Sequence, residues 1–121
     1  MKVSEALARV KEVKPNPFTD EMLLNWLNDF EAKVQTETRV KAPQGVDIYT
    51  LPEDLNTELL LARPYDECYP LYIQAQIDFA LQEFDTYNNS MRMFNTSFEE
   101  AKRYYVRHMK EQEPLKLKTY L

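Results

Sequence analysis

The chain has 121 residues, the length of one domain, and carries a single glycine, Gly45, where average usage gives roughly eight. That scarcity argues against all-β and Rossmann-type folds, which need glycine at tight turns and phosphate loops. Basic and acidic side chains number four and two in residues 1–14, five and fourteen in 15–96, and six and four in 97–121; an acidic body with mildly basic ends lacks the concentrated basic face of a general nucleic-acid binder.

An apolar share of 44% with 12% aromatics is enough for a packed core. Two stretches, 18–42 and 71–113, contain neither Pro nor Gly and are free to be helix. The first predicted helix runs over about 4–13, with Ser4 as N-cap and Val3, Leu7 and Val10 on one stripe. It stops at Lys14-Pro15-Asn16-Pro17, since each proline disfavours helix in the residue before it. The second spans about 20–40, capped by Thr19, with Asp20 and Glu21 complementing the helix dipole. Its stripe is Met22, Leu23, Trp26, Leu27, Phe30 and Val34, with Trp26 and Phe30 as core anchors.

Residues 41–64 hold three prolines and the one glycine and read as a long irregular loop, the kind that is often functional. Val46, Ile48 and Leu51 form a short strand or pack irregularly, and Leu55, Leu59 and Leu60 suggest one or two helical turns capped by Asn56 or Thr57. A flexible assembly segment and a packed arm both fit this composition.

The third helix is predicted over about 67–87, with Pro70 in its first turn, where the missing N–H costs nothing. Tyr69, Tyr72, Ile73, Gln76, Ile77, Ala80, Leu81, Phe84 and Tyr87 form its apolar face, with Ile73, Ile77 and Phe84 as anchors. Gln74, Asp78, Gln82, Glu83 and Asp85 fall opposite. The segment Tyr87-Asn88-Asn89-Ser90 then reads as a corner, because Asn tolerates the left-handed conformation that ends helices where Gly is absent. The fourth helix covers about 97–111, with Thr96 and Glu99 in capping-box spacing or Asn95 as the cap. Phe98, Ala101, Tyr104, Tyr105 and Met109 are its buried candidates, with Tyr105 as a core anchor. Ten of the fifteen aromatics lie between Tyr65 and Tyr105, so helices three and four are expected at the centre of the core.

The expected architecture is therefore all-α: a small bundle of about four helices in residues 1–113, with an extended tail, 114–121. Arg103, Arg107 and Lys110 share a face of helix four. Cations there are stabilised by the helix C-terminus, or they mark an anionic partner. Leu115-Lys116-Leu117-Lys118-Thr119-Tyr120-Leu121 alternates with a strand's period of two on a domain with little sheet to receive it. The tail is either disordered or pairs with another chain through Leu115, Leu117, Tyr120 and Leu121.

Chemistry is poorly provided for. His108 is the only histidine and Cys68 the only cysteine, so no transition-metal set assembles. There is no Gly-x-Ser-x-Gly elbow and no glycine-rich phosphate loop. No catalytic, metal or cofactor residue is expected. One cysteine rules out an internal disulfide, and the interleaved charges at the start and the absence of a long apolar run predict a soluble intracellular protein without leader or membrane span.

Taken as a set, Leu24-Asn25-Trp26-Leu27-Asn28-Asp29-Phe30-Glu31, Leu60-Leu61-Ala62-Arg63-Pro64-Tyr65-Asp66, Tyr69-Pro70-Leu71-Tyr72-Ile73-Gln74-Ala75-Gln76-Ile77-Asp78, Tyr87-Asn88-Asn89-Ser90 and Phe94-Asn95 resemble the small head–tail connector (adaptor) proteins of tailed phages and prophages. The resemblance covers roughly residues 18–108. It implies a helical subunit, without enzymatic activity or cofactor, that assembles as a homo-oligomeric ring, commonly a twelve-mer. Such a ring sits under the portal protein at the head–tail junction of the virion, after assembly in the host cytoplasm. Its other partner is a stopper or tail-completion protein, and DNA passes through its channel without sequence-specific binding. Tyr87, Asn88, Asn89, Ser90, Phe94 and Asn95 carry over as family hallmarks. The alternative reading is a helical regulatory module that binds nucleic acid or an acidic partner through Arg103, Arg107 and Lys110.

Overall fold

A computed structural model describes residues 1–38, 40 and 48–112, without the side chains of 109–112. Among the described residues four α-helices make the fold: α1 (Val3–Val13), α2 (Asp20–Thr38), α3 (Cys68–Ala80) and α4 (Phe84–Gln112). A 3₁₀ turn, Tyr65–Glu67, leads into α3. Among the described residues there is no strand, only an isolated bridge between Lys2 and Glu58. The all-α expectation holds.

The helices start for local reasons. The Thr19 hydroxyl accepts the Met22 amide at 3.2 Å, as its position before α2 predicts. Helix α1 begins one residue earlier than expected, and Ser4 is not its cap. Instead the Val3 and Ser4 amides donate to the Thr57 and Leu55 carbonyls at 3.0 and 2.9 Å, and the Glu5 carboxylate accepts the Lys2 amide. The first orphan donors of α1 are thus satisfied by the loop before α3.

That loop settles on the packed arm for its described part. Asn28 on α2 bonds both backbone groups of Tyr49, taking its amide at 2.8 Å and donating to its carbonyl at 3.0 Å. The helical turns expected around Leu55–Leu60 are absent: the chain there is a series of turns held by Asp54, which accepts from Thr50 and Thr57. Ile48 is exposed, while Val46 and Gly45 lie outside the described residues.

Phe30 is the centre of the core. Its ring lies 5.0–5.3 Å from those of Tyr69, Tyr72, Phe94 and Phe98, which brings α2, α3 and α4 together on one side chain. Val3, Leu7 and Val10 of α1 are buried against the same cluster, as are Ile73 and Ile77. Trp26 sits at the rim, half-buried and edge-on to Phe18 at 5.3 Å. Tyr105 is also half-buried; its hydroxyl accepts the Ala62 amide at 2.7 Å.

The largest departure from expectation is the α3–α4 corner. It lies at Leu81-Gln82-Glu83, some seven residues before Tyr87–Ser90. Gln82 takes the left-handed conformation with φ 60°. Its amide bonds the Phe79 carbonyl at 3.0 Å and that of Glu83 bonds the Asp78 carbonyl at 2.9 Å, the paired bonds of a Schellman ending. Tyr87, Asn88, Asn89, Ser90, Phe94 and Asn95 are consequently inside α4, so neither Asn95 nor Thr96 is a cap. Phe84 is no core anchor: it opens a new helix instead of extending the stripe of α3, and its side chain is 53% exposed.

Candidate interaction surfaces

Two unlike surfaces lie at the two ends of α4, a helix of 29 residues and therefore about 43 Å long. At its start, the Schellman corner turns Phe79, Leu81 and Phe84 outward, 56%, 38% and 53% exposed. Phe79 lies 6.0 Å from the Phe84 ring and 5.3 Å from that of Tyr87, so the three rings form one cluster. Glu83 and the exposed Asp85 give this corner an acidic edge.

The corner is fastened from beneath. Asp78, expected on the solvated face of α3, is buried. One of its oxygens accepts the Ser90 hydroxyl at 2.6 Å and the other meets the Lys14 ammonium, which also contacts Glu83 at 2.7 Å. The bonds to Asp78 and then Glu83 hold the Lys14 pKa above its ordinary value. Ser90, one of the hallmark residues, thus locks α4 onto α3 and the end of α1. Of the other hallmarks, Phe94 packs against Phe30, while Asn88, Asn89 and Asn95 are exposed on α4.

Towards the other end of α4, Arg103, Tyr104 and Arg107 are exposed. Tyr65 stacks on Tyr104 at 4.4 Å, and the His108 ring lies parallel to Tyr104 at 5.7 Å. Together with Glu100, the two arginines and the two tyrosines line an open surface concavity. Lys102 lies on a neighbouring concavity that it lines together with Arg103 and Arg107. It pairs with Glu99 at 2.7 Å and Glu37 at 3.3 Å and lies over the Phe98 ring. The structure therefore brings Arg103 and Arg107 together, as their spacing predicts. The side chains of Met109 and Lys110 lie outside what is described, as do the tail residues Leu115, Leu117, Tyr120 and Leu121.

The buried titratable groups belong to the framework. Glu31 is 2% exposed, and accepts the Tyr69 hydroxyl at 2.6 Å, the Tyr49 hydroxyl at 2.7 Å and the Leu60 amide at 3.1 Å. Burial raises its pKa against the opposing pull of those three donors. Together these donors tie the arm to α2 and α3. Burial likewise pushes the Cys68 thiol up, which leaves little nucleophilic thiolate. Among the described residues no cluster of His, Cys, Asp and Glu is arranged to hold a metal ion, and no helix is long and apolar enough to cross a membrane.

Sequence reasoning missed the outward corner and the Glu31 hub. Both left a trace. Phe79 falls two residues after Ile77 and off the apolar stripe of α3, where a large aromatic has no core to enter. Glu31 falls four after Leu27 and three before Val34, on the buried stripe of α2 itself.

No protein-family model, curated protein or solved structure matches this chain.

Proposed function

We propose that this chain is a structural subunit of a phage head–tail connector, a homo-oligomeric ring that sits beneath the portal and extends the DNA channel toward the tail. The observation that carries the reading is the pair of dissimilar exposed surfaces at opposite ends of α4, an aromatic corner with an acidic edge and a basic face built on Tyr104. A ring contact is heterologous, so each subunit has to offer unlike surfaces at separate places along its length. The acidic stretch 15–96 suits a channel wall along which DNA slides, because a basic lumen would hold phosphates. The ring carries no enzymatic activity and no cofactor; its work is geometric. Its partners are the portal above and a stopper or tail-completion protein below.

Negative-stain microscopy with sizing chromatography, on the chain alone and mixed with a portal protein, tests this. The expected result is a ring, alone at high concentration or on the portal. A chain that stays monomeric and ignores the portal under every condition would remove the reading.

The exposure of Arg103, Tyr104 and Arg107 favours a second reading, a regulatory module that binds nucleic acid by phosphate contacts and ring stacking. Salt-dependent duplex or single-strand binding by the isolated monomer, lost in Arg103→Ala/Arg107→Ala, would support it. The connector reading expects negligible binding.

A further inference from the structure

We propose that the aromatic corner between α3 and α4 is the docking site for the C-terminal segment, residues 113–121, of a second copy of this chain. The inference deepens the assembly reading, which needs a contact between copies, by naming both halves of one such contact. The receptor half is Phe79, Leu81, Phe84 and Tyr87 with Glu83 and Asp85 beside them, an apolar surface with an acidic edge. The occupant half is Leu115-Lys116-Leu117-Lys118-Thr119-Tyr120-Leu121. In an extended chain Leu115, Leu117 and Leu121 share one face, and Lys116 and Lys118 share the other. The apolar face complements the exposed rings, and the lysines complement Asp85 and the exposed part of Glu83, which already pairs with Lys14.

Reach decides which copy supplies the segment. From Phe84 to Gln112, α4 rises about 42 Å. Nine residues fully extended from Gln112 cover at most about 30–32 Å. Residues 113–121 therefore fall short of the corner of their own chain, and a contact between the two is made between copies. Each copy has the segment at one end of α4 and the receptor at the other, so the contact is heterologous and propagates around a ring.

The test adds a synthetic peptide of residues 113–121 to the ¹⁵N-labelled full chain, at a concentration where the chain is monomeric. Amide shifts are expected at Phe79, Leu81, Phe84 and Tyr87. Affinity should fall at least tenfold in Phe84→Ser or Phe79→Ser, side chains exposed enough to leave the fold intact, with unmoved Phe30 signals as the check. A peptide with Leu115→Ser and Leu117→Ser should fail to bind, and one with Lys116→Glu and Lys118→Glu should bind several-fold more weakly. Absence of shifts at saturating peptide would overturn the proposal, as would shifts confined to α4 around Arg103 and Arg107, or equal affinity for Phe84→Ser. A ring on the portal together with an untouched corner would remove this contact and leave the connector reading. Peptide binding at the corner with no ring under any condition would do the reverse.

Discussion

Two aromatic clusters occupy α3 and α4, and they have opposite relations to water. Around Phe30, five rings from three helices close on one another, and all but the half-buried Tyr72 are shut off from solvent. Around Phe79, three rings from two helices touch only along one side and leave Phe79 and Phe84 more than half exposed. The residue types are the same, so composition does not separate the two clusters. What separates them is the presence of a third helix: α2 covers the first cluster, and the second projects beyond the corner. Buried aromatics report how the domain folds, and the uncovered ones report where something else is expected to land.

The sharpest way to break the comparison is at its centre. Phe30→Ala should cost about 3–5 kcal/mol of stability in urea unfolding, because its ring is the contact shared by α2, α3 and α4; a loss below about 1 kcal/mol would deny it that role. Asp78→Ala leaves the Ser90 hydroxyl without its partner and the Lys14 ammonium with Glu83 alone at the root of the corner. It should cost about 2–4 kcal/mol, discounted because Lys14 is partly solvated. Hydrogen exchange should show the loss concentrated where α3 meets α4.

Glu31 offers a pH test on the core side. Burial holds its carboxyl above the ordinary value of 4.5, so the folded chain binds this proton more tightly than the unfolded chain. Its contribution is complete below about pH 4.5 and is lost as pH rises through the raised folded value. Glu31→Gln should cost about 1–3 kcal/mol near pH 4.5 through its weakened bonds to Tyr49 and Tyr69, with the gap narrowing toward pH 8. A gap that is constant or widens with pH would contradict this.

Gln82→Gly should stabilise the chain by about 0.5–1 kcal/mol, since glycine takes the left-handed conformation at Gln82 without the steric cost of a Cβ; a thermal midpoint that falls would contradict the corner geometry. Smallest of all is the expected effect of Phe84→Ser on unfolding, within about 0.5 kcal/mol. If Phe84→Ser unfolds the protein, the corner belongs to the core and the comparison fails.

Much of the fold was legible. Helix periodicity located four helices, the Thr19 cap and the buried stripes through Val3–Val10, Leu23–Val34 and Ile73–Ile77. The corner was not, for a definite reason. The spacing Ile77, Ala80, Leu81, Phe84, Tyr87 continues a helical stripe without interruption, and the residue that breaks it is a glutamine. With glycine absent, the Asn pair at 88–89 gave the stronger local signal, yet tertiary packing of Phe94 and Phe98 on Phe30 carries α4 straight through it. Arg103 and Arg107 were legible as a pair because helical spacing alone places them side by side. The Phe79 cluster was marked only by the off-stripe place of Phe79, since the exposure of Phe84 depends on where the corner falls and where α2 ends its cover.

Sedimentation velocity over a rising concentration series, on the chain alone and then with portal, tests most directly whether the uncovered surfaces join copies of this chain. The account predicts a monomer giving way to one discrete, closed species whose size stops growing with concentration. A single monomeric boundary throughout, with and without portal, would contradict it.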